Sequence, residues 1–269
     1  MKKLSKADIY SKYGIEYKAG KIYNPMFGWI NPILVDGNSK LGKGVWTMST
    51  LPGTNMYHIE LSTGDPIEVK GTCVCDCPGC YAQTGFYRMS STIKSLAIKT
   101  AIARYMIGWL KNAILAQIEA DNIELCRIHA SGDFFGTEYI AMWHDVAAQA
   151  SDTVFWTYTK NAQAEHAFDD LSNINIVHSI IPDIGFNYGH CDYIIKAYKA
   201  LKKAGNTVYV CRCGIDPNQH CNKCAGCSKH DFVLFVEHST AYKAIDDPMY
   251  NELVELVESQ AFDSEYMPF

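Results

Sequence analysis

Leu125-Cys-Arg-Ile-His-Ala-Ser-Gly-Asp-Phe134 is the stretch that decides the fold, because an apolar segment runs directly into small and turn-forming residues. Its pattern predicts a strand over Glu124-His129 that ends in the turn Ser131-Gly132-Asp133. A helix over Thr137-Ala150 and a second strand over Val154-Thr159 follow. Two strands joined by a helix of this size favour a parallel β/α unit.

The same alternation extends outward on both sides of this unit. Apolar residues at three- and four-residue intervals predict a long helix before it, at 91–120. Further segments are predicted after it: a short helix at 162–171, a strand at 175–181, a helix at 191–204, strands at 207–212 and 232–237, and a helix at 248–261. The predicted fold class is α/β, a partial or complete parallel β/α barrel.

Three parts of the chain differ in composition. Residues 1–70 predict a small β-rich N-terminal segment packed on the barrel, with short strands near 29–30, 33–35, 45–48 and 57–61. Residues 71–240 form the predicted barrel core, including a cysteine-rich loop at 211–230, and residues 241–269 hold the C-terminal helix.

A first group of cysteines lies in Gly71-Thr-Cys-Val-Cys-Asp-Cys-Pro-Gly-Cys-Tyr-Ala82. Cys73, Cys77 and Cys80 have the spacing C-x3-C-x2-C, which suits convergence on one metal centre. Three thiolates can hold three irons of a 4Fe-4S cluster and leave the fourth iron open. Cys75 offers a second spacing, C-x-C-x2-C, which suits zinc better, and a structural zinc ion is the alternative to a cluster.

A second group contains five of the eleven cysteines, namely Cys211, Cys213, Cys221, Cys224 and Cys227. Two successive C-x2-C steps indicate metal binding but do not identify the metal. These thiols could complete the first site, hold a second cluster, or form a zinc ribbon that braces a long loop.

The turn after the first strand supplies the other candidate site residues. Ser131, Gly132 and Asp133 are candidate cofactor-binding residues, because a glycine at a strand end lets the backbone approach a ligand. Asp133 and His129 are candidate catalytic residues, since the carboxyl ends of parallel strands form the active face of such folds. The structural alternative for Asp133 is a helix cap.

Composition limits the classes of function. The chain has 269 residues, 48% of them hydrophobic, and a formal net charge of −5. No basic tail announces nucleic-acid binding, no apolar run is long enough for a membrane, and the start of the chain lacks an apolar signal core. We expect a cytoplasmic protein, with a small-molecule or nucleotide substrate possible and nucleic acid left open. The sequence does not predict an oligomeric state.

At these residues the chain resembles the radical S-adenosylmethionine superfamily, through Cys73-x3-Cys77-x2-Cys80 and the later Gly132-Asp133. That resemblance implies a partial barrel, a 4Fe-4S cluster and S-adenosylmethionine bound at the open iron. The chain also resembles a phage-encoded family called gene product eighty-eight. The matching segments are Asn38-Ser-Lys-Leu-Gly42, Trp46-Thr-Met-Ser-Thr-Leu-Pro52, Cys80-Tyr-Ala82 and Arg127-Ile-His-Ala-Ser-Gly-Asp-Phe134, with the closing cysteine group. A phage origin, and hence the host cytoplasm, is implied.

Three functions compete at this stage. The first is a radical enzyme of the S-adenosylmethionine type that acts on an unknown substrate. The second is a zinc-containing barrel transglycosylase that exchanges a base in nucleic acid, with Asp133 or Asp183 as its nucleophile. The third is a binding protein without catalytic activity, stabilised by its metal.

Overall fold

The computed structural model describes residues 4–37, 41–74, 80–178, 190–212, 215–216, 221, 224, 226–235 and 244–260. These residues form six α-helices: α1 (Lys6–Lys12), α2 (Ser90–Tyr105), α3 (Ile107–Asp121), α4 (Thr137–Gln149), α5 (Cys191–Lys203) and α6 (Tyr250–Ser259).

Twelve short strands are found in the same part of the chain. They are β1 (Tyr17–Lys18), β2 (Lys21–Asn24), β3 (Gly28–Ile30), β4 (Val35–Asp36), β5 (Val45–Met48), β6 (Met56–Glu60), β7 (Pro66–Lys70), β8 (Leu125–Ile128), β9 (Val154–Thr159), β10 (Ile174–His178), β11 (Val208–Val210) and β12 (Phe232–Leu234).

The largest sheet has five strands in the order β10-β9-β8-β5-β4. Strands β5, β8, β9 and β10 run parallel, and β4 pairs antiparallel with β5 at one edge. In the register of the sheet, Met48 pairs with Ile128 and Ile128 with Thr157, so the carboxyl ends of three strands lie side by side.

The predicted parallel β/α barrel, partial or complete, is wrong. The main sheet of the described residues is open, and β11 pairs with β12 in a separate sheet instead of extending it. At the other edge, the antiparallel β4 ends the parallel series. The remaining strands form two small antiparallel sheets, β1-β2-β3 and β6-β7. The result is a mixed fold with several small sheets.

The two faces of the main sheet have different cover. Alternate residues of a strand point to opposite faces of the sheet. In β8, Cys126 and Ile128 point to one face, and Leu125 and Arg127 point to the other. Cys126 and Ile128 join a helix-covered core that includes the fully buried Trp143 of α4. Leu125 instead packs with Trp156 and Cys227 of the second cysteine group. The cysteine-rich segment therefore covers part of the sheet face opposite the helices.

Two local features differ from the sequence expectation. The helix predicted at 91–120 is two helices, separated at Met106, whose φ of −139° and ψ of 46° are not helical. The predicted N-terminal segment also includes helix α1, which Ser5 caps by accepting a hydrogen bond from the Asp8 N–H. None of the described helices has both the length and the apolar composition that crossing a bilayer requires.

Candidate functional site at the carboxyl ends of the parallel strands

The carboxyl ends of β5 and β8 are joined by hydrogen bonds beyond the strands themselves. The Thr50 N–H donates to the Ser131 carbonyl over 3.0 Å, and the Ser131 hydroxyl donates to the Thr50 carbonyl over 2.6 Å. Both residues are buried. The turn Ser131–Asp133 is thus held at the edge of the sheet where open parallel sheets bind their ligands.

Gly132 cannot be replaced by a larger residue without a collision. Its φ of +83° lies in the left-handed region, which glycine adopts most easily. A Cβ at this position would collide with the Thr50 hydroxyl and would lie 2.6 Å from the Thr72 hydroxyl. These two hydroxyls are 2.8 Å apart. Three distant segments of the chain therefore meet at this glycine.

The Asp133 carboxylate is buried and bonded within the protein. Its Oδ1 accepts hydrogen bonds from the Thr159 hydroxyl at 2.6 Å and from the Phe134 N–H at 2.7 Å, and Oδ2 accepts one from the Lys160 N–H at 2.8 Å. Burial raises the pKa of Asp133, although these hydrogen bonds act in the opposite direction. A carboxylate offers about four acceptor positions, so one at Oδ2 remains for a ligand. The predicted cofactor-binding and catalytic roles of Asp133 stay predictions.

His129 lies in the helix-covered core. Its ring is 4.9 Å from the Phe134 ring, and its Nε2 is 2.9 Å from the Tyr139 hydroxyl. Burial, and secondarily the Arg127 guanidinium, lower the pKa of His129 to about 3. Its Nδ1 is buried and makes no hydrogen bond within the described residues. This environment keeps the imidazole neutral and favours a structural role, while the predicted catalytic role stays untested.

The residue that precedes the first cysteine group is attached to this turn. Thr72, directly before Cys73, accepts a hydrogen bond from the Asp133 N–H over 3.0 Å. The Cys73 N–H donates to the Gly53 carbonyl over 3.2 Å. After Cys80, the Tyr87 hydroxyl donates to the Ala130 carbonyl over 3.4 Å. Cys73 and Cys80 are both half-buried thiols, while Cys75 and Cys77 lie outside the described residues.

Described members of the second cysteine group interact with two tyrosines, Tyr158 of the main sheet and Tyr209 of the separate β11-β12 sheet. The hydroxyl of Tyr209, in β11, is 2.8 Å from the Cys224 sulfur. Burial raises the pKa of Tyr209, and the neighbouring thiols Cys224 and Cys211 raise it further. Burial likewise raises the pKa of Tyr158, with Cys227 and Cys211 contributing. Cys211 thus contributes to the raised pKa of both tyrosines.

Two further observations bear on the predicted metal ligands. Among the described residues, no three Cys, His, Asp or Glu side chains are grouped closely enough to hold a metal ion. Cys213 of the second group, like Cys75 and Cys77 of the first, lies outside those residues. The ligand sets drawn from the sequence stay predictions.

The sequence profile of the family described as Gene product 88 matches residues 32–212. The chain belongs to the Gene product 88 family. It is also 37% identical over 82 residues to the "Gene 88 protein" of Mycobacterium phage D29, a match that covers 26% of this chain and 34% of that relative. The chain thus spans about a third of the relative that it matches. No solved structure matches.

These matches support the phage family predicted from the sequence, but they give no support to the radical S-adenosylmethionine resemblance. In this Gene product 88 chain, the family match includes the first cysteine group and the turn Ser131–Asp133. It ends at residue 212, so most of the second cysteine group follows it.

Sequence reasoning missed several residues that build these sites in the Gene product 88 protein. Thr50, Thr72 and Thr159 supply the hydroxyls around Gly132 and Asp133. Single threonines in loops or at strand ends carry no distinctive pattern, so only the structure identifies them. Asn175, whose side-chain amide donates to the Cys227 carbonyl over 2.8 Å, was also missed, although an amide inside an apolar strand is an unusual signal.

Proposed function

We propose that this Gene product 88 protein binds an iron–sulfur cluster through Cys73, Cys77 and Cys80, beside a small-molecule site at the turn Ser131–Asp133. The observation that carries the proposal is the hydrogen bond between the Thr72 hydroxyl and the Asp133 N–H. It attaches the residue next to Cys73 to the turn for which the sequence independently predicts a ligand site.

The residues at this edge have chemistry that fits such a group. Thiolates are the preferred ligands of iron–sulfur clusters, and the Cys73 and Cys80 side chains are half-buried, which shields them partly from water. When bound, a cluster with three cysteine ligands supplies electrons one at a time and offers an iron that can bind a small molecule.

The turn supplies the polar groups for the small molecule. The remaining acceptor position of Asp133 Oδ2 can take a hydrogen bond from an amine or a hydroxyl. The absence of a side chain at Gly132 lets the Thr50 and Thr72 hydroxyls pack against the turn and fix its shape. S-adenosylmethionine, which has an amine and ribose hydroxyls, is therefore the small molecule with which the proposal should be tested first.

The test begins with anaerobic purification and analysis of iron, sulfide and zinc. We expect iron and sulfide in the native protein, their loss in Cys77→Ser and Cys80→Ser, and their retention in Cys126→Ala. Cys126 is a matched control because it is buried in the core, outside both cysteine groups. Absence of iron and sulfide after anaerobic reconstitution would refute the proposed cluster.

A second measurement tests the small-molecule site. With dithionite as electron donor, we expect S-adenosylmethionine to be cleaved to methionine and 5′-deoxyadenosine. We expect Gly132→Ala, assayed in folded protein that retains its iron and sulfide, to reduce the yield. If the reconstituted protein carries its cluster but neither binds nor cleaves S-adenosylmethionine, the proposed ligand is wrong and the cluster assignment stands.

The transglycosylase alternative is less favoured by the geometry. A nucleophilic carboxylate must approach the substrate carbon, yet Asp133 is 5% exposed and accepts three hydrogen bonds from its own protein. The other candidate, Asp183, lies outside the described residues.

A further inference from the structure

The second cysteine group continues into a histidine at the same spacing. In Cys221-Asn-Lys-Cys-Ala-Gly-Cys-Ser-Lys-His230, every third residue is a cysteine or a histidine. We propose that Cys221, Cys224, Cys227 and His230 form a zinc site of the Cys3His type, with His230 as its nitrogen ligand. The proposal adds His230 to the predicted metal ligands and does not depend on the cluster proposed at Cys80.

The hydrogen bond made by the His230 imidazole fixes the tautomer that a metal ligand at Nε2 requires. Its Nδ1 is 2.7 Å from the Gly226 carbonyl, which can only accept, so Nδ1 carries the hydrogen. In the neutral ring, the lone pair is then on Nε2, which makes no hydrogen bond among the described residues. A hydrogen bond from one ring nitrogen to a backbone carbonyl commonly fixes the other nitrogen for zinc.

The backbone of the segment turns back on itself, as closely spaced ligands require. The Cys224 N–H donates to the Cys221 carbonyl over 3.1 Å, and residues Gly226–Ser228 form a short 3-10 helix. The Asn175 amide, from strand β10, donates to the carbonyls of both Cys227 and His230, at 2.8 Å and 3.1 Å. One side chain of the sheet thus holds two of the proposed ligand residues in place.

Cys224 and His230 line one open cleft of about 440 Å³, together with Tyr209. The Tyr209 ring lies 5.2 Å from the His230 ring, and its hydroxyl contacts the Cys224 sulfur. Gly226 permits this packing, since a Cβ there would lie 2.5 Å from the Tyr209 ring. Because the described donors are not yet grouped closely enough to hold an ion, zinc binding requires rotation of cysteine side chains within this segment.

The experiment uses the full-length chain with Cys73, Cys75, Cys77 and Cys80 changed to serine, so that the first cysteine group contributes no zinc ligand. Zinc affinity is measured against a chromophoric chelator, and cobalt is used as a spectroscopic substitute. We expect one zinc per chain, with affinity at least about 100-fold weaker in His230→Ala, a larger loss than is typical of changes around a ligand. His230→Cys should restore the affinity and shift the cobalt spectrum toward that of a four-sulfur site.

Three further variants distinguish this ligand set from sets that use Cys211 or His220. Cys224→Ser should weaken zinc binding, whereas Cys211→Ser and His220→Ala should leave it unchanged. The inference is overturned if His230→Ala binds zinc normally, if Cys211→Ser or His220→Ala shows the loss instead, or if the background protein binds no zinc. Recovery by His230→Cys excludes misfolding as the cause of the His230→Ala result.

Discussion

Acidification should lower the free energy of unfolding of this protein more steeply than that of a variant that lacks the His129 imidazole. The folded-state pKa of His129 is lowered to about 3 from 6.5, mainly by burial. A lowered pKa means that the unfolded chain binds the proton first, so the stabilisation is complete above pH 6.5 and is lost as the pH falls toward 3.

The size of the effect follows from this shift. A difference of 3.5 units, from 6.5 to about 3, corresponds to about 5 kcal/mol at most, at about 1.4 kcal/mol per unit. Between pH 7.5 and 4.5 the expected loss is about 3 kcal/mol, a large part of the roughly 5–15 kcal/mol that stabilises a typical domain.

The assay is urea unfolding of the metal-free protein, followed by tryptophan fluorescence at pH 7.5, 6.5, 5.5 and 4.5. His129→Asn is the matched control, because asparagine tolerates the left-handed φ of 61° found here and carries no titrating group. All other titrating groups are common to both proteins. If the two free energies of unfolding fall in parallel between pH 6.5 and 4.5, the neutral buried imidazole is refuted.

Three other substitutions have expected effects on the free energy of unfolding, measured by urea titration at pH 7. Gly132→Ala should destabilise by about 3 kcal/mol, from left-handed backbone strain and collision with Thr50; a change below about 1 kcal/mol would contradict the close packing. Thr159→Val should cost about 2 kcal/mol by removing a hydrogen bond to the Asp133 carboxylate, and an unchanged midpoint would contradict that bond. Lys99→Met should stabilise by up to about 3 kcal/mol, because burial lowers the pKa of Lys99 to about 8. At pH 7 the folded protein therefore carries a buried charge at this position, which methionine removes. Equal stability of the two proteins at pH 7 would contradict this prediction.

Strong local patterns allowed the central elements to be predicted from the sequence. The strand Val154–Thr159 was predicted at its observed bounds, and the helix from Thr137 to within one residue of its end. Sheet closure was not predictable in this way, because it depends on pairing between distant strands. The break at Met106 was hidden for another reason: the apolar spacing of Ile102, Met106 and Leu110 continues through it.

The position of His129 departs from the side-chain alternation of strand β8. Leu125 and Arg127 point to the face opposite the helices, and regular alternation would place His129 there too. The left-handed φ of His129 ends this alternation, and the imidazole packs beside Tyr139 in the core. The location of Ser131–Asp133 at the strand end was predictable, whereas the hydroxyls that fix the turn come from residues distant in sequence.

The meeting of three segments at Gly132 has a consequence for folding. The hydrogen bonds that join them close loops of 22, 61 and 81 residues. Closing loops of this length costs conformational entropy before any contact forms, and such non-local contacts slow folding. A molecule that binds at this turn would therefore hold together parts of the chain that are far apart in sequence. We expect its binding to raise the unfolding temperature of the whole core, so that ligand screening by thermal shift is a direct approach to the small molecule.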